Sequence, residues 1–263
     1  YGNDAPGHFL LFFLISILLK NNENFKNQTF IKVLTISIFI FINKITLFVA
    51  LIFPFIIIKF KDIKAYFRME YLLPLSVLVL WFVKNILNTG CIIYPIENLC
   101  FEFRWSNFDY TNNISYLSTG AEAWSKSWPE LSDKQQNVIG FYEFNSNFNW
   151  VSTWLSSHFL FIIKTISPYF LFITSLALTI MYLSTKKKEN KIFDRKIFII
   201  FLLIFIGTIG WFLKAPVYRF GYSYIIITIN LIFSIFLFKN FELKNNQKIK
   251  KLILYVTIIF LLA

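Results

Sequence analysis

Ile197-Phe-Ile-Ile-Phe-Leu-Leu-Ile-Phe-Ile-Gly-Thr-Ile-Gly-Trp-Phe-Leu213 runs directly into Lys214-Ala-Pro-Val-Tyr-Arg-Phe-Gly221, and a second apolar run, Tyr222 to Phe238, follows. The first run has 17 residues and no charge among them. As a helix it is about 25 Å long, close to the roughly 30 Å hydrocarbon layer of a bilayer. Lys186, Lys187, Lys188, Lys191, Arg195 and Lys196 precede it, and such clusters mark connectors that stay on the cytoplasmic side. Pro216 suits a tight turn between the runs and not a helix interior. The stretch reads as a hairpin of two membrane helices, with its turn on the side away from the lysines.

Composition agrees with that reading. Apolar residues make up 57% of the 263 and charged residues 15%, with a mean hydropathy of +0.60, whereas soluble domains are about 45–50% apolar and about 25% charged. A soluble fold would have to bury all these runs in one core. The net charge of +12 raises nucleic acid as a partner, but the basic residues sit in connectors and form no single basic face, so nucleic-acid binding is discounted. No signal peptide is visible. The chain starts at Tyr1 and stops inside the apolar run Leu252 to Ala263, which is the pattern of a piece cut from a longer protein that lacks its N-terminal part.

Apolar blocks and basic connectors alternate along the rest of the chain. Phe9 to Leu19 follows a polar lead, and Lys20 to Gln28 is a basic, Asn-rich connector. Phe30 to Ile58 is 29 residues long and broken at Asn43-Lys44. A single helix of that length would reach roughly 43 Å, so two short helices, as a re-entrant hairpin or as two tilted spans, fit better. Lys59 to Glu70 is basic, Tyr71 to Leu87 is a span, and a span from about Ser156 to Leu183 contains Pro168, which should kink it or mark its real start. The basic connector Lys239 to Lys251 precedes the final run. The expected fold is an all-α polytopic membrane protein. It has about seven to eight transmembrane or re-entrant helices in two blocks, 1–88 and 151–263, around one large extracytoplasmic loop, 89–150.

That loop holds both cysteines, four of the seven tryptophans and a net charge of −4, against +16 for the remainder. Parity places it outside. If 184–196 and 239–251 are cytoplasmic, then 89–150, 214–221 and residues 1–8 share the opposite face, provided 30–58 crosses an even number of times.

Three polar elements thus meet on one face: Asp4 with His8, the loop, and Lys214 with Arg219. An ionisable residue at a membrane boundary is costly without a partner or a task. Asp4 is a candidate general base or metal ligand, or a cap for the helix beginning near Pro6. One Asp and one His make no metal site, and His8 reads as an interface residue. Lys214 and Arg219 offer a point charge and a fork suited to phosphate, or they snorkel to headgroups. Cys91 and Cys100 either form a disulfide or remain separate, with Cys91 buried at a span end. Trp105, Tyr110, Tyr116, Trp124, Trp128, Tyr142, Trp150 and Trp154 can stack on sugar rings or form an interfacial belt. The loop's acids are spread among turns, so the catalytic group is not expected there and the loop reads as a lid. Ala121 to Ser127 reads as a short helix and Ser127 to Lys134 as a surface turn. No phosphate-binding loop, dinucleotide fingerprint, nucleophile elbow or zinc signature occurs.

Several motifs recur in a definite order: Gly2-Asn-Asp4-Ala-Pro, Ile42-Asn-Lys44-Ile, Trp81 to the Asn-Thr-Gly and Tyr94-Pro95 turn, Trp124-Ser-Lys126, the Trp150 and Trp154 pair, and Ala215-Pro-Val-Tyr-Arg-Phe-Gly221. In this order the chain resembles polytopic bacterial membrane proteins of the GT-C glycosyltransferase type. The resemblance implies transfer of a sugar from a polyprenyl-phosphate donor on the outer face of the bacterial inner membrane. It implies Asp4 as base or metal ligand, corresponding to the second of two outer-face acidic positions; the first would lie upstream of Tyr1. Lys214 and Arg219 would meet the donor phosphate, and His8, Tyr94 and Trp124 would contact substrate. The expected partners are the lipid bilayer and the lipid-linked sugar; no cofactor is identified, and a divalent cation stays open. The competing readings are a lipid-linked oligosaccharide flippase, an O-antigen-type polymerase or ligase, and a non-catalytic relative. A single broken segment without a second copy weighs against a transporter, and Arg104 as the loop's one arginine weighs against the polymerase.

Overall fold

A computed structural model describes residues 4–20, 27–57, 69–103, 105, 109–128, 140–186 and 195–243. These residues are almost entirely helical. The connectors at 59–68 and 187–194, the arginine at 104, the turn at 129–134 and the terminal run at 252–263 lie outside them.

Helix α1, Asp4–Lys20, has Pro6 in its first turn, where its missing N–H costs nothing. It packs along α2, Asn27–Asn43. The apolar stretch that follows turns back on α2, because Lys44 takes an extended conformation (φ −146°, ψ 97°). The returning arm is a 3-10 segment, Ile45–Ile52, that runs into α3, Phe53–Ile57. The break at Asn43-Lys44 is therefore a hairpin bend. Helix α4, Leu72–Thr89, ends at Gly90, whose left-handed backbone (φ 71°) lets its N–H cap the carbonyl of Ile86.

The segment expected to be a loop is largely folded. A bridge between Cys91 and Cys100 closes a small hairpin. Helix α5, Asp109–Ser125, and a short helix α6, Phe141–Asn145, pack on each other. A Cβ on Gly120 would stand 3.0 Å from the Phe141 ring, so glycine there permits the contact. The expected short helix at 121–127 is thus the end of a longer one. Asn, Thr and Ser dilute its apolar face, which hides the helical period in the sequence.

A long rod then runs through α7, Trp150–Trp154, a π turn, Leu155–Phe159, and α8, Leu160–Leu183. The helix continues through Pro168 and does not start there. The irregularity lies at the π turn, where Ser156 and Ser157 hydroxyls donate to the Thr153 carbonyl. Helices α9, Arg195–Lys214, and α10, Tyr218–Asn240, form the hairpin around Pro216. Two glycines set their spacing. A Cβ on Gly221 would lie 2.3 Å from the Trp211 ring, and one on Gly207 would lie 2.5 Å from Tyr224. Strands β1, Ser184–Lys186, and β2, Phe241–Leu243, pair antiparallel at the other end of the rods.

Among the described residues four helical stretches are long and apolar enough to cross a membrane: Met69–Thr89, Trp150–Tyr182, Lys196–Lys214 and Tyr218–Leu237. Shorter apolar helices are Gln28–Asn43 and Ile45–Ile56. The first two long ones leave nearly all their apolar surface outward, as helices facing lipid do. Leu11, Leu14, Leu18, Val33, Leu47, Phe53, Ile200, Ile204 and Tyr224 form the core between α1, α2, the returning arm, α9 and α10.

Candidate functional site

The N-terminus of α1, the Lys44 bend, the Cys91–Cys100 hairpin, α5 and the α9–α10 turn all lie at one end of the rods. Each is held there by a specific contact. Asp4 forms an ion pair with Lys44, whose ammonium also lies 3.8 Å from the centre of the Phe220 ring. Arg219 covers the same ring at 4.7 Å. His8 is fully buried. Its Nε2–H donates to the Arg219 carbonyl at 3.0 Å, its Nδ1 accepts from the Ser223 hydroxyl at 2.7 Å, and Tyr222 stacks on it at 4.0 Å. Those two bonds satisfy both ring nitrogens of a neutral imidazole. His8 therefore fixes the first turn of α10, which carries Arg219, and offers no free nitrogen.

The α9–α10 turn is tied to the long rod by Trp154, whose indole N–H donates to the Pro216 carbonyl at 2.7 Å. Trp211 does the same for Val217 at 2.9 Å. Cys91 and Cys100 are joined in a disulfide, and the Tyr94–Pro95 peptide within its hairpin is cis.

Sequence reasoning set the loop's acids aside, and there the structure differs. Glu122 of α5 lies between two lysines: Lys126 at 2.5 Å and Lys214 at 3.0 Å. Lys126 is 2% exposed and lies 4.6 Å from the centre of the Trp150 ring. Burial pushes its pKa below the ordinary lysine range, and the hydrogen bond to Glu122 pulls it partly back. Ser125 reaches the Lys214 carbonyl at 3.5 Å, and Ser127, in a left-handed conformation (φ 71°), meets Ser157 of the π turn at 2.5 Å. Helix α5 is thus pinned at its end to both α9 and the long rod. The spacing of Glu122 and Lys126, four apart on one helix, was the available signal. The partner Lys214, 92 residues on, left none.

Beneath α5 lies a cavity of about 740 Å³. Ile45, Phe48, Trp211 and Phe220 give it an apolar side, and Asn98, Ser118, Thr119, Glu122, Ser125 and Lys214 a polar one, with Glu97 at the rim. Of the expected site residues only Lys214 lines it. Asp4 and Arg219 are set back beside Phe220, and His8 is buried under the α10 turn. Trp124, 60% exposed, points away beside Trp128, and Tyr94 stays on the disulfide hairpin. Among the described residues no group of three or more His, Cys, Asp or Glu side chains could hold a metal.

The helices and this end site define a protein with the build of a multi-pass membrane protein, carrying a partly polar cavity at one end of its helices. Within that class the chain belongs to the family described as a domain of unknown function (DUF8201), whose profile matches residues 2–226 and so spans the whole site. No curated protein and no solved structure matches the chain.

Proposed function

We propose that the protein is a glycosyltransferase-like enzyme of the bacterial inner membrane that moves a sugar from a polyprenyl-phosphate donor to an acceptor on the extracytoplasmic face, in cell-surface glycan synthesis. The observation that carries this reading is the two-sided cavity at the ends of apolar helices. An amphiphile can keep its tail in lipid, pass the apolar side at Phe48 and Phe220, and set its head against Glu122, Ser118, Asn98 and Lys214.

In this reading seven segments cross the bilayer: α1, α2, the arm 45–57, α4, the rod 150–183, α9 and α10. The lysine-rich connectors then stay in the cytoplasm. The end bearing α5 faces outward, where a disulfide persists. Glu122 rather than Asp4 takes the acceptor proton, because Glu122 lines the cavity and Asp4 does not. Asp4 is then a positioning residue for the Lys44 bend. Lys214 meets the donor phosphate, and Arg219 adds positive field from beside it.

The test uses the full chain in lipid nanodiscs with a polyprenyl-phosphate donor carrying a labelled sugar, scored by release of polyprenyl phosphate. Glu122→Gln is expected to slow transfer by about 100-fold or more, the scale of a lost general base. Asp4→Asn is expected to slow it less. Movement of an intact lipid-linked oligosaccharide across the bilayer, with no sugar transferred, would make the protein a flippase instead.

A further inference from the structure

We infer that Glu122 acts as a built-in stand-in for a phosphate, and that Lys214 exchanges Glu122 for an anionic ligand entering the cavity. This rests on the reading of the cavity as the donor-head site. The two ion pairs of Glu122 are unequal. Lys126 sits four residues on, just past the end of α5, almost wholly buried, so its bond to Glu122 at 2.5 Å is shielded from water. Lys214 belongs to another helix, its side chain is 77% exposed, and it reaches the second carboxylate oxygen at 3.0 Å. Exposed pairs of that kind are weak and exchange readily.

A phosphate brings more acceptor oxygens and more charge than a carboxylate that Lys126 already half-neutralises. The other charges facing the ligand act in opposite directions. Lys44 and Arg219, across the Phe220 ring, favour an anion, while Glu97 at the rim opposes one. The exchange releases one oxygen of Glu122 into the cavity, free to accept from a hydroxyl. Arrival of the phosphate thus uncovers the group that the acceptor needs.

The experiment measures dissociation constants for inorganic phosphate and for farnesyl phosphate with the full chain in nanodiscs. Glu122→Gln is expected to tighten both by about two- to fivefold, since it removes an exposed competitor while its amide oxygen still accepts from Lys126. Lys214→Gln is expected to weaken both by about tenfold or more, the effect of losing a charge-assisted bond. If Glu122→Gln does not fold, Glu122→Ala, which also removes the competing carboxylate, is expected to show the same tightening. Farnesyl phosphate binding well above inorganic phosphate identifies a lipid-linked ligand, and equal binding a free phosphate. Unchanged or weaker binding in the Glu122 variants, or unchanged binding in Lys214→Gln, overturns the exchange. Sugar transfer that persists alongside such a result spares the enzyme reading, and exchange without any transfer spares only the exchange.

Discussion

Lys126 sits in an environment far from what its type prefers. A lysine ammonium is strongly hydrated, and here it is buried against Trp150 with Glu122 as its acidic partner. Its folded pKa lies below the unfolded value, with burial as the leading cause. The folded state therefore carries a penalty while the lysine is charged. As pH rises toward the ordinary lysine value the folded state releases its proton first, and this group alone then adds stability with pH. Lys126→Met should change stability at neutral pH by only about 1 kcal/mol, since Lys214 still neutralises Glu122. It should also flatten the melting temperature against pH, relative to the native chain, between neutrality and the lysine range. Parallel curves would show that Lys126 is not penalised by burial. His8 gives a second residue-scale expectation. His8→Ala strands the Ser223 hydroxyl, frees the Arg219 carbonyl and leaves a hole beside Tyr222, so it should cost about 2–4 kcal/mol by denaturant titration. Neither environment was legible in the sequence, because the partners of His8 lie more than 200 positions away.

At the scale of elements, the apolar rods announced themselves. Uninterrupted runs such as Ile197 to Leu213 leave no choice but helix in lipid, and the Asn43-Lys44 break marked its own bend. Helix α5 did not, because Asn112, Asn113 and Ser115 interrupt its period, and what holds it is contact with Phe141, Lys214 and Ser157. The close approach of α9 and α10 is the element contact most sensitive to one atom. At Gly221 an added Cβ would meet the Trp211 ring at 2.3 Å, and that ring holds the turn through its bond to Val217. Gly221→Ala should cost about 1–3 kcal/mol, the range for forced overpacking. It should also disturb the Trp211 side of the cavity, visible as a shift in tryptophan emission. A melting temperature equal to that of the native chain would show that the two helices are free to separate.

At the scale of the whole molecule the rods alternate in direction, and the polar groups gather at one end while the β1–β2 ribbon closes the other. The alternation follows from contacts: Lys44 returns to Asp4, the α9–α10 turn returns to His8, and β2 returns to β1. The proposed topology puts these two ends on opposite sides of the membrane, a claim that labelling can decide. Both native cysteines are used in the disulfide, so the chain offers no native thiol and an introduced cysteine reports alone. Tyr116 on α5 and Asn240 at the end of α10 are both exposed, one at each end. A membrane-impermeant maleimide applied to intact cells should label Tyr116→Cys and leave Asn240→Cys untouched until the membrane is opened. The inverse pattern would turn the protein over and place the cavity in the cytoplasm, where a polyprenyl donor presented outside could not reach it. Labelling of both from outside would mean an even number of crossings between the two positions. The directions of the rod 150–183, α9 and α10 forbid that unless one of the three stays out of the bilayer. All three carry enough length and apolar surface to span, and a helix left in water with so much exposed leucine and phenylalanine would have to find a partner or aggregate.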